Sequence, residues 1–200
     1  MDATTRSTVD TATRIAAADD RTSYDRVAIT LHWLTAALVI IQFVLALTWG
    51  YFPRSTRHLM IVTHMSFGII LTAVIILRIV WRLIPGHQMP TIVSGWVEIA
   101  SKAVHYLLYV MLAAEAVLGF VLRWSGNESM SFFGVPIPPP FAPFSKPVHH
   151  LIGGIHEWNG YAIVAIAFLH ASAALFHHYV LRDRVLHRML PAAPAPKPGG

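Results

Sequence analysis

The chain has 200 residues, 55% of them hydrophobic and 12% charged, with a mean hydropathy of +0.55, a balance outside that of water-soluble domains and suited to lipid. Its net charge of +5 comes from 15 Lys and Arg against 10 Asp and Glu, and these follow the pattern of a membrane topology, so no nucleic-acid partner is expected. The absence of cysteine excludes disulfides, thiolate metal sites and iron–sulfur clusters.

The first 26 residues, MDATTRSTVDTATRIAAADDRTSYDR, are polar and lack the apolar core of a cleaved signal peptide, so residues 1–23 are expected to persist as a tail. Beyond them the sparse charges leave four gaps of 20 residues or more: 27–53, 58–77, 103–122 (interrupted by Glu115 alone) and 158–181. About 20 helical residues, rising ~1.5 Å each, cross the ~30 Å hydrocarbon core. The fold class is therefore an all-α membrane protein, a four-helix transmembrane bundle over 24–185. Between spans three and four, residues 123–148 contain six prolines and several aromatics, which predicts a structured outer cap. Residues 186–200 form a second tail, ending in the Pro/Ala/Gly-rich LPAAPAPKPGG, which is expected to lack fixed structure.

Eleven of the basic residues fall on one side of the predicted spans: Arg6, Arg14, Arg21 and Arg26, then Arg78, Arg82 and Lys102, then Arg182, Arg184, Arg188 and Lys197. The opposite side has Arg54, Arg57, Arg123 and Lys146. By the positive-inside rule both termini are cytoplasmic, and the loops 50–57 and 123–148 face outward.

Five of the twelve histidines lie within spans: His32, His64, His105, His156 and His170. Polar side chains at membrane depth are expensive and mark function unless they merely hydrogen-bond a neighbouring helix. His156 and His170 are fourteen residues apart, a rise of about 21 Å and a turn ~40° short of four full revolutions, so they share a face at two depths. His32 lies about 9 Å in from the cytoplasmic side and His64 about 10 Å in from the outside. Depth therefore pairs His32 with His170 and His64 with His156. Two neutral imidazoles facing each other across an apolar bundle match the axial requirement of a b-type haem, and two such haems form an electron path across the membrane. Gly68, Gly153, Gly154, Gly160, Ala171, Ala173 and Ala174 near these histidines fit a flat macrocycle or simply close helix packing.

The stretches DRVAITLHWL (25–34), YFPRSTRHLMIVTHMSFGI (51–69), AVHYLLY (103–109) and HEWNGYAIVAIAFLHASAALFHHY (156–179) resemble the bacterial cytochrome b561 family, and within it the members that oxidise superoxide. The resemblance covers residue 24 to about 190. It implies a multi-pass protein of the bacterial inner membrane that ligates two haem b through His32, His64, His156 and His170. It also implies transfer of electrons from superoxide at the periplasmic face to ubiquinone, with no protein partner required.

Residue chemistry is compatible with that activity. The outer loops set four cations against Glu128 and Glu157, a field that would steer an anion, and Arg54 and Arg57 fall within the FPRS-x-R match; the same charges would also serve as interfacial anchors or bind haem propionates. Arg78 and Arg82, one turn apart beside Trp81, would meet propionates, line a quinone pocket or anchor the helix. His177, seven residues past His170 and on nearly its face, is placed to hydrogen-bond or protonate a quinone, whereas His178 points elsewhere. His105 matches the family, but no fifth ligand is needed, so a contact to a ligand or propionate is expected. Glu115, mid-span, departs from the apolar residue of the member the chain resembles and must be protonated or hydrogen-bonded. Other readings are a membrane cytochrome b subunit serving a periplasmic dehydrogenase or hydrogenase, a haem-free transporter or zinc sensor, and a purely structural membrane protein. Zinc would want its ligands gathered at one point.

Overall fold

The computed structural model describes residues 25–84, 95–183 and 185–190. The expectations for the 1–23 tail, Arg184 and the end of the C-terminal tail lie outside the described residues.

Four long helices carry the fold. Helix α1 (Arg26–Thr48) starts at Asp25, whose carboxylate accepts the Ala28 N–H at 2.9 Å and so satisfies a donor that the first turn leaves open. The Trp81 indole donates to both oxygens of the same carboxylate at 3.1 and 3.2 Å, tying the start of α1 to the far end of the next helix. After a single 3-10 turn (Trp49–Tyr51) and Pro53, which has no N–H to lose at a helix start, α2 runs from Arg54 to Leu83. Helix α3 spans Trp96–Ser125 and α4 spans Lys146–Phe176, continued by one π turn over His177–Leu181 and ended by Arg182 in the left-handed region (φ 53°). All four helices are long and apolar enough to cross a bilayer, and the protein is a multi-pass membrane protein.

The helices overrun the charge-free gaps. Arg78 and Arg82 lie inside α2, Glu98 and Lys102 inside α3, and Lys146 begins α4. A helix does not stop at the hydrocarbon edge, because its own hydrogen bonds continue into the headgroup layer, where long charged side chains reach water.

The proline-rich outer segment begins only after α3 ends at Ser125, and it contains a two-stranded antiparallel hairpin, β1 (Met130–Phe132) and β2 (Val135–Ile137), in the register Met130↔Ile137 and Phe132↔Val135. Its two-residue turn, Phe133–Gly134, has φ of 49° and 93°, the handedness that matches strand twist. The non-glycine residue is held there by a tertiary bond. The Phe133 N–H donates to the fully buried Ser66 Oγ at 2.8 Å, and this hydroxyl in turn donates to Val62 O at 2.7 Å. The hairpin is thus pinned to α2 two residues beyond His64.

Helix α1 packs chiefly on α2 and α3 on α4, while α1 and α4 touch sparsely. The buried core, Leu38, Leu71, Val74, Ile75, Leu112 and Ile163, lies midway along the helices. Ile163, 3% exposed, is seven residues from both His156 and His170, so an apolar plug separates the outer and inner halves of the bundle. The many exposed Leu, Ile, Val and Phe side chains form the lipid-facing surface.

Candidate functional site

Helix α1 contributes His32, α2 contributes His64, and α4 contributes both His156 and His170. His64 is the tenth residue beyond Arg54 and His156 the tenth beyond Lys146, so helices that begin at the same face bring the two rings to one level. The His64 and His156 ring centroids are 6.4 Å apart, and those of His32 and His170 are 6.5 Å apart. Imidazole nitrogens about 2.0 Å from a metal on either side, with each ring centre about 1.1 Å further back, put centroids roughly 6.2 Å apart. Both pairs fit an iron held from two faces. His105 does not, because its ring centroid is 4.8 Å from that of His170.

At the outer pair the remaining ring nitrogens face oxygen. His64 Nδ1 lies 3.2 Å from Gln42 O, an acceptor that requires the proton on Nδ1 and leaves Nε2 free to ligate. His156 Nδ1 lies 3.2 Å from Glu115 Oε1, off line for a good hydrogen bond, and this buried nitrogen has no other partner among the described residues. Asn159 clamps the carboxyl in place: its Nδ2 donates to Glu115 Oε2 at 2.7 Å and to Met111 O at 3.0 Å. Glycines make the space. A Cβ on Gly119 would sit 3.4 Å from His156 Cε1, and one on Gly160 would sit 3.3 Å from Glu115 Oε1. Gly153 faces Leu122 and Gly68 faces Gln42, so these small residues open contacts between helices as well as room beside the histidines.

The inner pair is electrostatically opposite. Arg78 Nη2 donates to His32 Nδ1 at 2.8 Å, and a guanidinium can only donate. Were Nε2 to hold a metal, Nδ1 would carry the proton and Arg78 would leave it for its second seat over the Tyr109 ring, 5.0 Å away, still beside the pair. Arg82 lies 6.0 Å from the Tyr106 ring. His105 Nδ1 donates to Ser101 O at 2.7 Å.

Among the remaining candidates, Arg54 and Arg57 are exposed at the start of α2, Arg57 Nη2 donating to Gly50 O at 3.2 Å. Arg123 is neutralised by an ion pair with Glu128. His177 is engaged by Asp183, Nδ1 to Oδ2 at 2.5 Å, and His178 stacks edge-on to His187 at 4.9 Å. Burial pushes the Asp183 carboxyl up, but its hydrogen bonds to His177 and the Val185 N–H outweigh this and hold it below the usual carboxylate range. Gln42, Asn159 and Asp183 escape the sequence reading. Asn159, three residues past His156 on a lipid-crossing helix, was the one with a visible signal. Among the described residues no three His, Asp or Glu side chains gather at a point, as a zinc site requires.

The profile of the prokaryotic cytochrome b561 family matches residues 23–192. Cytochrome b561 homolog 1 of Escherichia coli (strain K12) is 35% identical over 176 residues, covering 84% of this chain and 97% of its own length. Cytochrome b561 homolog 2 of the same organism is 30% identical, over 84% of this chain and 90% of its own. A protein of Yersinia pestis named probable superoxide oxidase CybB is 30% identical, over 84% of this chain and 96% of its own. With four apolar helices and histidine pairs at two depths, the chain belongs to the prokaryotic cytochrome b561 family of electron-carrying membrane b-type cytochromes.

Proposed function

We propose that this chain holds two haem b groups, one between His64 and His156 near the periplasmic face and one between His32 and His170 near the cytoplasmic face, and passes electrons from superoxide to ubiquinone. The matched spacing of the two pairs, 6.4 and 6.5 Å, carries the reading. Haem b with an imidazole on each face supplies reversible one-electron chemistry and has no open iron position for binding dioxygen. The residues around it do the rest. Exposed Arg54 and Arg57 draw an anion to the outer rim. Arg78 and Arg82, on the inner half of α2, are placed to neutralise propionates. His177, held by Asp183, is placed to give a proton to a quinone oxygen. Two superoxide anions lose one electron each to become dioxygen, and a quinone gains those two electrons with two protons to become quinol. Support for superoxide as donor is the name of the Yersinia relative together with the positive rim. An inner-membrane location with both termini in the cytoplasm accords with eleven basic residues on one side against four on the other.

The test adds superoxide to the oxidised, detergent-purified dihaem protein and follows the α band. Prompt reduction, then reoxidation on adding ubiquinone, is expected. A protein with two haems that superoxide leaves oxidised would instead be a subunit serving a soluble dehydrogenase.

A further inference from the structure

The groups behind the two histidine pairs have opposite chemistry, and this bears on the direction in which electrons cross. Around the outer pair stand acceptor oxygens, the Gln42 carbonyl 3.2 Å from His64 Nδ1 and the Glu115 carboxyl 3.2 Å from His156 Nδ1, the latter off line but close enough to act on the ring through its charge. Beside the inner pair stands a cation, Arg78, 2.8 Å from His32 and 5.0 Å from the Tyr109 ring, a second seat that keeps its charge next to the pair when it leaves Nδ1, with Arg82 one turn further along α2. An acceptor on Nδ1 or a carboxylate beside the ring makes Nε2 the stronger donor to iron and favours the ferric state, whereas a positive charge beside the ligand favours the ferrous state. Among the described residues the buried plug from Leu38 to Ile163 puts no charged side chain between the two levels to offset this difference.

We infer that Glu115, clamped by Asn159, and Arg78 are positioning residues that give the outer site the lower reduction potential and the inner site the higher, so that the protein carries electrons from the periplasmic face inward. The inference rests on the two-haem reading above. Each transfer is one electron from the outer site to the inner, with superoxide as the donor that replenishes the first and a quinone as the acceptor that empties the second. The clamp is built for this: Asn159 holds Glu115 Oε2 at 2.7 Å while Oε1 faces the ligand, and Gly160 leaves only 3.3 Å for a Cβ against that oxygen, so the carboxyl has one seat. Glu115 interrupts an otherwise charge-free span, a cost that lipid-only packing would not retain.

Potentiometric titration of the purified holoprotein, read at the α band, tests this without turnover. Two waves are expected, and Glu115→Gln, nearly isosteric, should raise the lower one so that its reduced-to-oxidised ratio at fixed ambient potential grows about tenfold, which is 59 mV for one electron. Arg78→Gln should lower the upper wave by a similar factor, and Arg78→Lys, which keeps the charge, should restore most of it. If Glu115→Gln moves the upper wave, or moves neither, the inference is overturned. Should that variant shed one haem, the wave that survives must be the upper one; survival of the lower would overturn it equally. A wild-type protein with fewer than two haems per chain sinks the two-haem reading itself, a separate failure recognised by haem count alone.

Discussion

His105 approaches His170 more closely than His32 does, 4.8 Å between ring centroids against 6.5 Å, yet only the wider gap admits a metal between the rings. His105 Nδ1 is also committed to Ser101 O one turn back on its own helix. Replacing His105 by Ala should therefore leave two haems per chain, whereas Ala at His32, His64, His156 or His170 should remove one. Haem extracted from each purified variant and counted against protein gives the answer.

Gly119 marks where α3 passes the outer pair, and a methyl there would already sit 3.4 Å from the His156 ring. Gly119→Ala asks the ring to yield by a few tenths of an ångström, but Gly119→Val puts a branched group against it, with an overpacking cost of about 1–3 kcal/mol. The expected outcome is graded: near-normal haem content for Ala, and selective loss of the outer haem for Val. Equal loss of both haems in the Val variant would show a general folding defect in place of a local one.

The four helices were legible because lipid excludes charge, and 25 charged residues in 200 leave gaps that only spans explain. The pairing of the histidines by depth was legible for the same reason, since the nearest charges act as rulers. What the sequence hid is lateral. That Glu115 stands beside His156 follows from Glu115 lying ten residues before the end of α3 and His156 ten residues after the start of α4, but those ends, Ser125 and Lys146, lie within a segment whose prolines conceal where each helix stops. The hairpin was hidden too: its strands are three residues long, β2 contains Pro136, and its register depends on Ser66, 65 positions from the strand residue Ser131 that it also contacts. Local propensity has no access to such a contact.

Ser66 therefore carries more than its size implies. It is fully buried, and Ser66→Ala leaves the Phe133 N–H without its acceptor, a loss of about 1–3 kcal/mol. Because the bond holds a non-glycine residue at positive φ, the hairpin should loosen before the bundle does. Hydrogen exchange should accelerate over 130–137 while the helical amides of α2 and α4 stay protected. Unchanged protection in the hairpin would show that the contacts of Phe133 with Phe67 and Phe132 suffice.

Electrostatic steering predicts a dependence on salt. Arg54 and Arg57 sit exposed at the start of α2, where unpaired helix N–H groups add to the positive field. Changing both to Glu should slow haem reduction by superoxide about tenfold at low ionic strength, with the difference from wild type closing as the Debye length shrinks to ~3 Å at 1 M salt. Stopped-flow reduction rates against salt distinguish steering from a structural defect, which would persist at high salt.

Asp183 ties the C-terminal end of α4 to the segment that follows, and its carboxyl is held below the usual range by His177 and the Val185 N–H. A carboxyl depressed in the folded state contributes stability that is complete above its unfolded pKa of about 3.9 and is lost as pH falls through the folded value. Acid should thus release this segment first. Trp33 reports on it, because its indole donates to Met189 O at 2.8 Å across the turn. Asp183→Asn keeps the shape but removes the charge, so at neutral pH it should expose the Arg182 bond to trypsin faster than wild type. In wild type, exchange of the amides at 185–190 should rise only as pH drops through the acid range. If the Asn variant is cleaved no faster at pH 7.5, the His177–Asp183 contact is not what holds this end closed, and the proton-donor role proposed for His177 loses its anchor.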